Sequence, residues 1–387
     1  MLHLRRCILA RILSSPYASP ISPLHRLLSA AAPAVSPNPG FAAEEYLVET
    51  CGLSRAQALK ACTKLTHLKS SSNPDAVLAF LAKDLSLSGA DIAALIAKDP
   101  QFLCAGVERT LAPVLVGLTG LGLSRSDIAR LVSLIPSCFR CKSIVSNLPY
   151  YISLFGSYEN LLRALKGSCR QKLLLSDLES VVKPNVALLR ECGLGVCDIA
   201  KLCILRPWLL TSKQESLQAI VACVERLGVP RGSRMFRQAL RAVGFRSEES
   251  IAAKVDSLKK TFSWSDAEVR IAVCKAPIML MRSKETLQHR AEFLINEVGL
   301  ESAYIAHRPV MLMYSLEGRI RPRYYVLKFL KEKGLLHQDR DYYSAFMIGN
   351  KVFMEKFICP HKEAAPHLAE DYAAACSREV PTRFKFT

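Results

Sequence analysis

Two cysteines three residues apart, Cys138 and Cys141, are the pair in this chain whose types and spacing most suggest chemistry. A CxxC pair offers two thiolates to a metal or to a redox couple. A structural zinc site needs four ligands, however, and no second pair stands at zinc-module spacing. Core packing is the simpler reading, because a free cysteine behaves as a small buried hydrophobe. The same holds for Cys192, Cys197 and Cys203 around one Gly-Leu junction. His67, His289, His307 and His361 are scattered and belong to no HExxH or His/Cys arrangement. The sequence holds neither a Walker loop nor a GxGxxG, and no nucleophile, base or metal cage converges. It predicts no catalytic residue, no metal ligand and no cofactor.

The cations are a different matter. The formal net charge of +18 attracts polyanions. Residues 206–334 carry 23 basic and 13 acidic residues, a net +10, so most of the excess is concentrated there. Basic residues also recur at fixed places around a series of prolines. Lys98, Arg206, Lys275 and Arg308 stand just before a proline, and Arg140, Lys142, Lys213, Arg282 and Lys284 stand a few residues after one. Cations at matching levels of successive units form a track suited to a phosphate backbone. Charge on a helix face is more often simple solvation, which is the competing account of any one of these residues. Arg319, Arg321 and Arg323 alternate beside Tyr324 and Tyr325. They read either as phosphate donors with stacking surfaces or as a unit that closes the apolar end.

What positions these residues is a repeat. Gly-Leu or Gly-Val pairs stand at Gly52, Gly122, Gly193, Gly228, Gly299 and Gly334, separated by 70, 71, 35, 71 and 35 residues. Twelve residues separate Ser88 from Pro100, Ser124 from Pro136, Gly195 from Pro207 and Ser265 from Pro277. Each pair brackets one helix. Ser54 with Gln57, Ser88 with Asp91, Ser124 with Asp127 and Ser265 with Glu268 have capping-box spacing, and the proline ends the ladder. Ile92, Leu95, Ile96 and Ile128, Leu131, Val132 mark one apolar stripe per helix. After the proline comes a short apolar knot such as Trp208-Leu209-Leu210, then a second amphipathic helix, one of them capped by Ser212 with Glu215. Two copies have lost the proline, at Ser168 and Val243, and the copy with Pro309 is about one turn shorter. No unit buries its stripe alone, so the units must stack.

Residues 1–43 hold four Arg and no acid, with Arg11 cutting the apolar stretch, which suits an organellar transit peptide better than a secretory signal. The mitochondrion is favoured over the chloroplast. No run approaches the roughly 20 apolar residues of a membrane span. The 14 cysteines fit a reducing compartment.

The proline-closed helices Ile204-Leu205-Arg206-Pro207-Trp208-Leu209-Leu210 and Ile305-Ala306-His307-Arg308-Pro309-Val310-Met311-Leu312 resemble those of the mitochondrial transcription termination factor (mTERF) family. The run from Ser315 to Tyr324, the stretch Lys333-Gly334-Leu335-Leu336 and Phe353-Met354-Glu355-Lys356-Phe357-Ile358 are similar to the last repeat of its plant branch. The resemblance covers roughly residues 45 to 372. It implies an all-α, curved α-solenoid of about eight helix-turn-helix mTERF repeats of roughly 35 residues, whose positively charged concave side takes double-stranded DNA or structured RNA. Pentatricopeptide repeats have a similar length but lack the proline stop. The expected organisation is residues 1–43 as transit peptide and linker, 44–336 as the repeat solenoid, and 337–387 as a capping helix and tail. The expected function is nucleic-acid binding in organelle gene expression, such as transcription termination or intron splicing, by a monomer with gene-expression proteins as possible companions. The alternative is a non-catalytic scaffold for a ribonucleoprotein or ribosome-assembly complex.

Overall fold

The structure, a computed structural model, describes residues 42–167, 170–244 and 246–377. The expected transit peptide lies outside them except for its last two residues, and so does Ser168. Every regular element among the described residues is helical. The first helices of successive units are Arg55–Cys62, Gly89–Lys98, Arg125–Leu134, Tyr158–Leu165, Val196–Leu205, Phe236–Val243, Asp266–Lys275 and Ser302–His307. Second helices such as Ser72–Lys83, Ser143–Phe155, Gln214–Arg226 and Glu248–Phe262 lie between them. Each unit packs on its chain neighbours, and one apolar core runs from Leu47 to Phe346. This is a helical-repeat solenoid.

The local signals act as their chemistry requires. Ser54, Ser124 and Ser265 form capping boxes with Gln57, Asp127 and Glu268, and the Ser88 hydroxyl accepts the Asp91 amide. Ser212 does not cap. Lys213 holds that N-cap, and the Ser212 hydroxyl donates to the Leu209 carbonyl at 3.3 Å because it still belongs to the preceding turn. Before each proline the backbone opens: Asp99, Ile135, Arg206, Ala276 and Arg308 have φ between −145° and −130° with positive ψ. A following pyrrolidine ring disfavours the helical alternative. The proline then starts a short turn whose third and fourth residues, such as Phe102 and Leu103 or Leu209 and Leu210, are fully buried. Ser302–His307 has 6 residues where Asp266–Lys275 has 10, the shortened copy expected from sequence. At Val243, which lacks the proline, the helix ends with Gly244 as its C-cap, and Ser247 caps the next helix.

The glycines close the second helices in left-handed conformation, and Gly193 is the tightest. Its φ is +83°, and a Cβ there would lie 2.5 Å from the Gly232 Cα. The Gly232 amide donates to the Cys192 carbonyl at 2.9 Å, so two backbones meet at this junction.

Polar side chains on the second helices set the register between units. They reach the last carbonyls of the next unit's proline turn. The Asn73 amide donates to Leu103 and Ala105, Asn185 to Leu210 and Ser212, and Arg290 to Leu312. Arg323 does the same for Ala345, Phe346 and Ile348. Beyond Gly334, helices Tyr342–Met347, Asn350–Phe353 and Leu368–Ser377 form a terminal module. Its apolar cluster closes on Val326, Leu327 and Leu330 of helix Arg321–Glu332.

Candidate nucleic-acid interface

Cations collect at two levels, the second of them in alternate units. The first level is the C-terminal end of the first helices. The Lys98 ammonium donates to the Ser133 and Leu134 carbonyls at 2.7 and 2.5 Å, and Lys275 donates to the His307 carbonyl at 2.9 Å. Each lysine thus caps the matching helix of the next unit, where the negative end of the helix dipole welcomes it. Arg308 lies over the Tyr304 ring at 4.1 Å and approaches Tyr343 of the module beyond.

Arg206 belongs to this level too. It donates to the Leu205 carbonyl, and burial together with Arg241 holds its guanidinium below the usual range. Arg241 is a residue that the sequence analysis missed. Arg206, Arg241, Lys275 and Arg308 are separated by 35, 34 and 33 residues, so the period itself contained the signal. It was hidden because Val243 replaces the proline from which position was being counted.

The second level is the N-terminal end of the second helices. Lys142 and Lys213 are the N-cap residues of helices Ser143–Phe155 and Gln214–Arg226, and neither helix has a side-chain cap. Lys284 opens helix Lys284–Glu292, whose cap is Ser283. The three lysines are exposed and 71 residues apart, two units each. A lysine side chain has no acceptor to offer the first-turn amides and its charge opposes the positive end of the dipole, while at Lys142 the Ile144 and Val145 amides donate to the Cys141 and Lys142 carbonyls at 3.1 and 3.2 Å. Such an end is a ready site for an anion. A further pair of like charges lies nearby: burial and Arg246 depress the Lys254 ammonium, opposed by Glu285.

Several expected contacts turn inward instead. Arg140 pairs with Asp99 of the preceding unit at 2.9 Å. Arg282 donates to the Met313 carbonyl at 3.3 Å. Burial and Arg282 hold the Arg290 guanidinium below its usual range.

The Arg319–Arg323 run requires the largest correction. Arg323 is 1% exposed, donates to three carbonyls and to the Tyr372 hydroxyl, and lies over Phe353. Arg319 donates to the Phe346, Met347 and Ile348 carbonyls and lies over Tyr314 at 4.0 Å. Both close the end of helix Tyr342–Met347, so their forks are occupied by backbone rather than open to phosphate. Arg321 stands 3.4 Å from Glu317 and over Phe293. Tyr324 and Tyr325 are buried with their hydroxyls on the Glu297 carbonyl and carboxylate, which is the end-closing reading and offers no stacking platform.

Cys138 is fully buried, donates its thiol to the Ile135 carbonyl, and is pushed up to about 12 by burial. Its CxxC partner Cys141 is exposed. Among the described residues no group of three or more His, Cys, Asp or Glu is placed to hold a metal, and no helix is long and apolar enough to cross a membrane.

The mTERF family model matches residues 142–353, which includes Lys142, Lys213 and Lys284. The chain is 22% identical over 308 residues to the Arabidopsis thaliana protein described as transcription termination factor MTEF18, mitochondrial, covering 76% of this chain and 50% of that protein. It is 23% identical over 249 residues to transcription termination factor MTERF15, mitochondrial, of the same plant, covering 64% and 55%. A third similarity, 24% over 146 residues, is to transcription termination factor MTERF8, chloroplastic, covering 38% and 29%. The chain spans about half the length of the first two relatives.

Proposed function

The chain belongs to the mTERF family, and from that premise we propose that it is an organellar nucleic-acid-binding factor that regulates organelle gene expression without covalent chemistry. Its ligand is double-stranded DNA or structured RNA. The observation that carries this reading is the placement of Lys142 and Lys213 at helix N-termini without a side-chain cap, two units apart, with Lys284 in register two units further on. These charges oppose the local helix field, so helix stability does not account for them, whereas a phosphate backbone does. Arg206 with Arg241 adds a like-charge pair one level away, in the half of the chain with the greatest basic excess. Of the remaining expected contacts, Lys275 and Arg308 serve this level secondarily, after capping and stacking. Arg140, Arg282, Arg319, Arg321 and Arg323 hold units together.

Two of the relatives are named mitochondrial and one chloroplastic, which supports an organelle, and the Arg-rich, acid-free leader favours the mitochondrion. The binding surface belongs to residues 44–336, with the terminal module within 337–377 closing its end.

The test is duplex binding across a salt series by the chain and by a Lys142→Glu/Lys213→Glu/Lys284→Glu variant. Each lost phosphate contact lowers the slope of log K against log salt by about 1, so the slope falls by about 3 and affinity near 100 mM salt falls ~10- to 100-fold. An unchanged slope refutes this placement of the interface. Failure of the unaltered chain to bind duplex DNA or RNA at low salt refutes the function.

A further inference from the structure

We propose that the outer face shared by helices Ala112–Gly120 and Ser143–Phe155 is where two copies of this chain meet, forming a dimer in place of the monomer expected from sequence. Residues 110–124 and 143–158 hold no charged residue, although the chain carries a net +18. The two helices pack directly on each other, since a Cβ on Gly117 would lie 2.7 Å from the Val145 Cγ1 atom. Their outer face is open. Val116 is 71% and Leu121 41% exposed, and Pro113, Gly120 and Pro149 are exposed beside them. Thr119, Ser146 and Ser153 add only neutral hydroxyls to it. A helix that is apolar on all sides is ordinarily buried, yet Ala112–Gly120 turns Val116 outward. Other second helices present charge to water: Asp75 and Lys83 are exposed on Ser72–Lys83, Glu215 and Glu225 on Gln214–Arg226, and Asp256 and Lys260 on Glu248–Phe262.

Charge selects the occupant. A polyanion or an acidic partner gains nothing from a face without cations. Two chains of net +18 repel each other over most of their surface, so the uncharged face is where they approach at least electrostatic cost. The face is also self-complementary. Gly120 stands one turn beyond Val116 on the same side of the helix, and no neighbouring atom lies within 4 Å of the position a Cβ would take there. A twofold axis across this face lays each Val116 into its mate's Gly120 notch, the isologous arrangement of a closed dimer.

The test is sedimentation velocity on the full chain over a concentration and a salt series. A concentration-dependent dimer is expected. Because the contact is apolar and the charges repel, screening should tighten it as salt rises, the opposite of duplex binding. Val116→Asp and Gly120→Lys each put an unpaired charge into the contact, and each should weaken self-association about tenfold or more while the melting temperature of the dilute chain changes little. Mixing the two variants sets the new carboxylate against the new ammonium and should restore a dimer. Dilute Val116→Asp should bind duplex as the parent does. The proposal is overturned if the chain stays monomeric throughout, if self-association weakens with salt, if either variant associates as the parent does, or if the mixed variants stay apart. Loss of duplex binding by dilute Val116→Asp also overturns it, by giving this face to nucleic acid. None of the first four failures touches the salt-slope result for the lysine variant, so the two readings fail separately.

Discussion

Replacing Asn185 tests the idea that polar side chains set the register of the units. Asn185 is 1% exposed, and its amide nitrogen reaches the Leu210 carbonyl at 3.1 Å and the Ser212 carbonyl at 2.8 Å. Two carbonyl acceptors can be met only by the NH2 end of the amide. Asn185→Leu keeps the volume and strands both carbonyls, each at a cost of about 1–3 kcal/mol. The Asn185 carbonyl oxygen is itself buried without a partner, so its removal returns part of this. A net loss of about 2–4 kcal/mol follows, or roughly 4–8 °C at about 2 °C per kcal/mol for a chain longer than 150–250 residues.

Asn185→Asp adds a pH signature. An ionised carboxylate would face two carbonyl oxygens, while the protonated form donates one hydrogen bond, so the folded pKa rises above the unfolded value near ~3.9. Its stability is fully present below the unfolded pKa and is lost as pH rises through the folded one. The gap to the parent chain should therefore widen from pH ~4 to ~8. Urea midpoints and thermal melts across that range measure it. A loss below about 0.5 kcal/mol for Asn185→Leu, the scatter of ordinary surface changes, or a pH-flat gap for Asn185→Asp, would refute the reasoning.

Gly193→Ala adds left-handed strain to a contact of 2.5 Å with the Gly232 backbone, and should cost about 2–4 kcal/mol. Gly122→Ala, with φ +86° and open space around it, should cost only the strain, about 1 kcal/mol; equal melting points for the two would contradict this account. Arg323→Lys keeps the charge but loses the fork that gathers three carbonyls and Tyr372, so limited proteolysis should cut residues 337–377 first while duplex affinity is retained. Lys275→Met should lower the melting temperature and change duplex affinity little, because its ammonium caps the His307 carbonyl. Lys213→Met should do the reverse, leaving stability equal or slightly higher and weakening duplex binding.

The repeat was legible in the sequence because proline and glycine act on the backbone directly. Asp99 before Pro100 opens wherever that dipeptide stands, and Gly193 holds a φ that other residues resist, so spacing alone marked the helix ends. Capping serines were legible for the same local reason. Ser212 was misjudged by one residue because the turn before it draws its hydroxyl to Leu209, a contact that no capping pattern encodes. Arg319 and Arg323 were misread because the carbonyls they gather lie 22 to 29 residues further along, beyond the reach of any local rule. Asn73, Asn185, Arg290 and Arg323 perform one task with different donors, so no repeated letter drew attention to them.

Recurrence in register is thus a weak argument for binding, because two opposite causes produce it. Lys98 and Lys275 recur where a cation lowers the energy of the folded chain, at carbonyl ends that need a donor. Their periodicity would exist in a solenoid that never met a polyanion. Lys142 and Lys213 recur where a cation raises that energy, and they displace the Ser or Asp that would cap the helix. Folding does not favour that choice. The sign of the local field, rather than the count of cations, separates the two sets, and it favours the second-helix N-termini over the proline-side positions in the proposed interface.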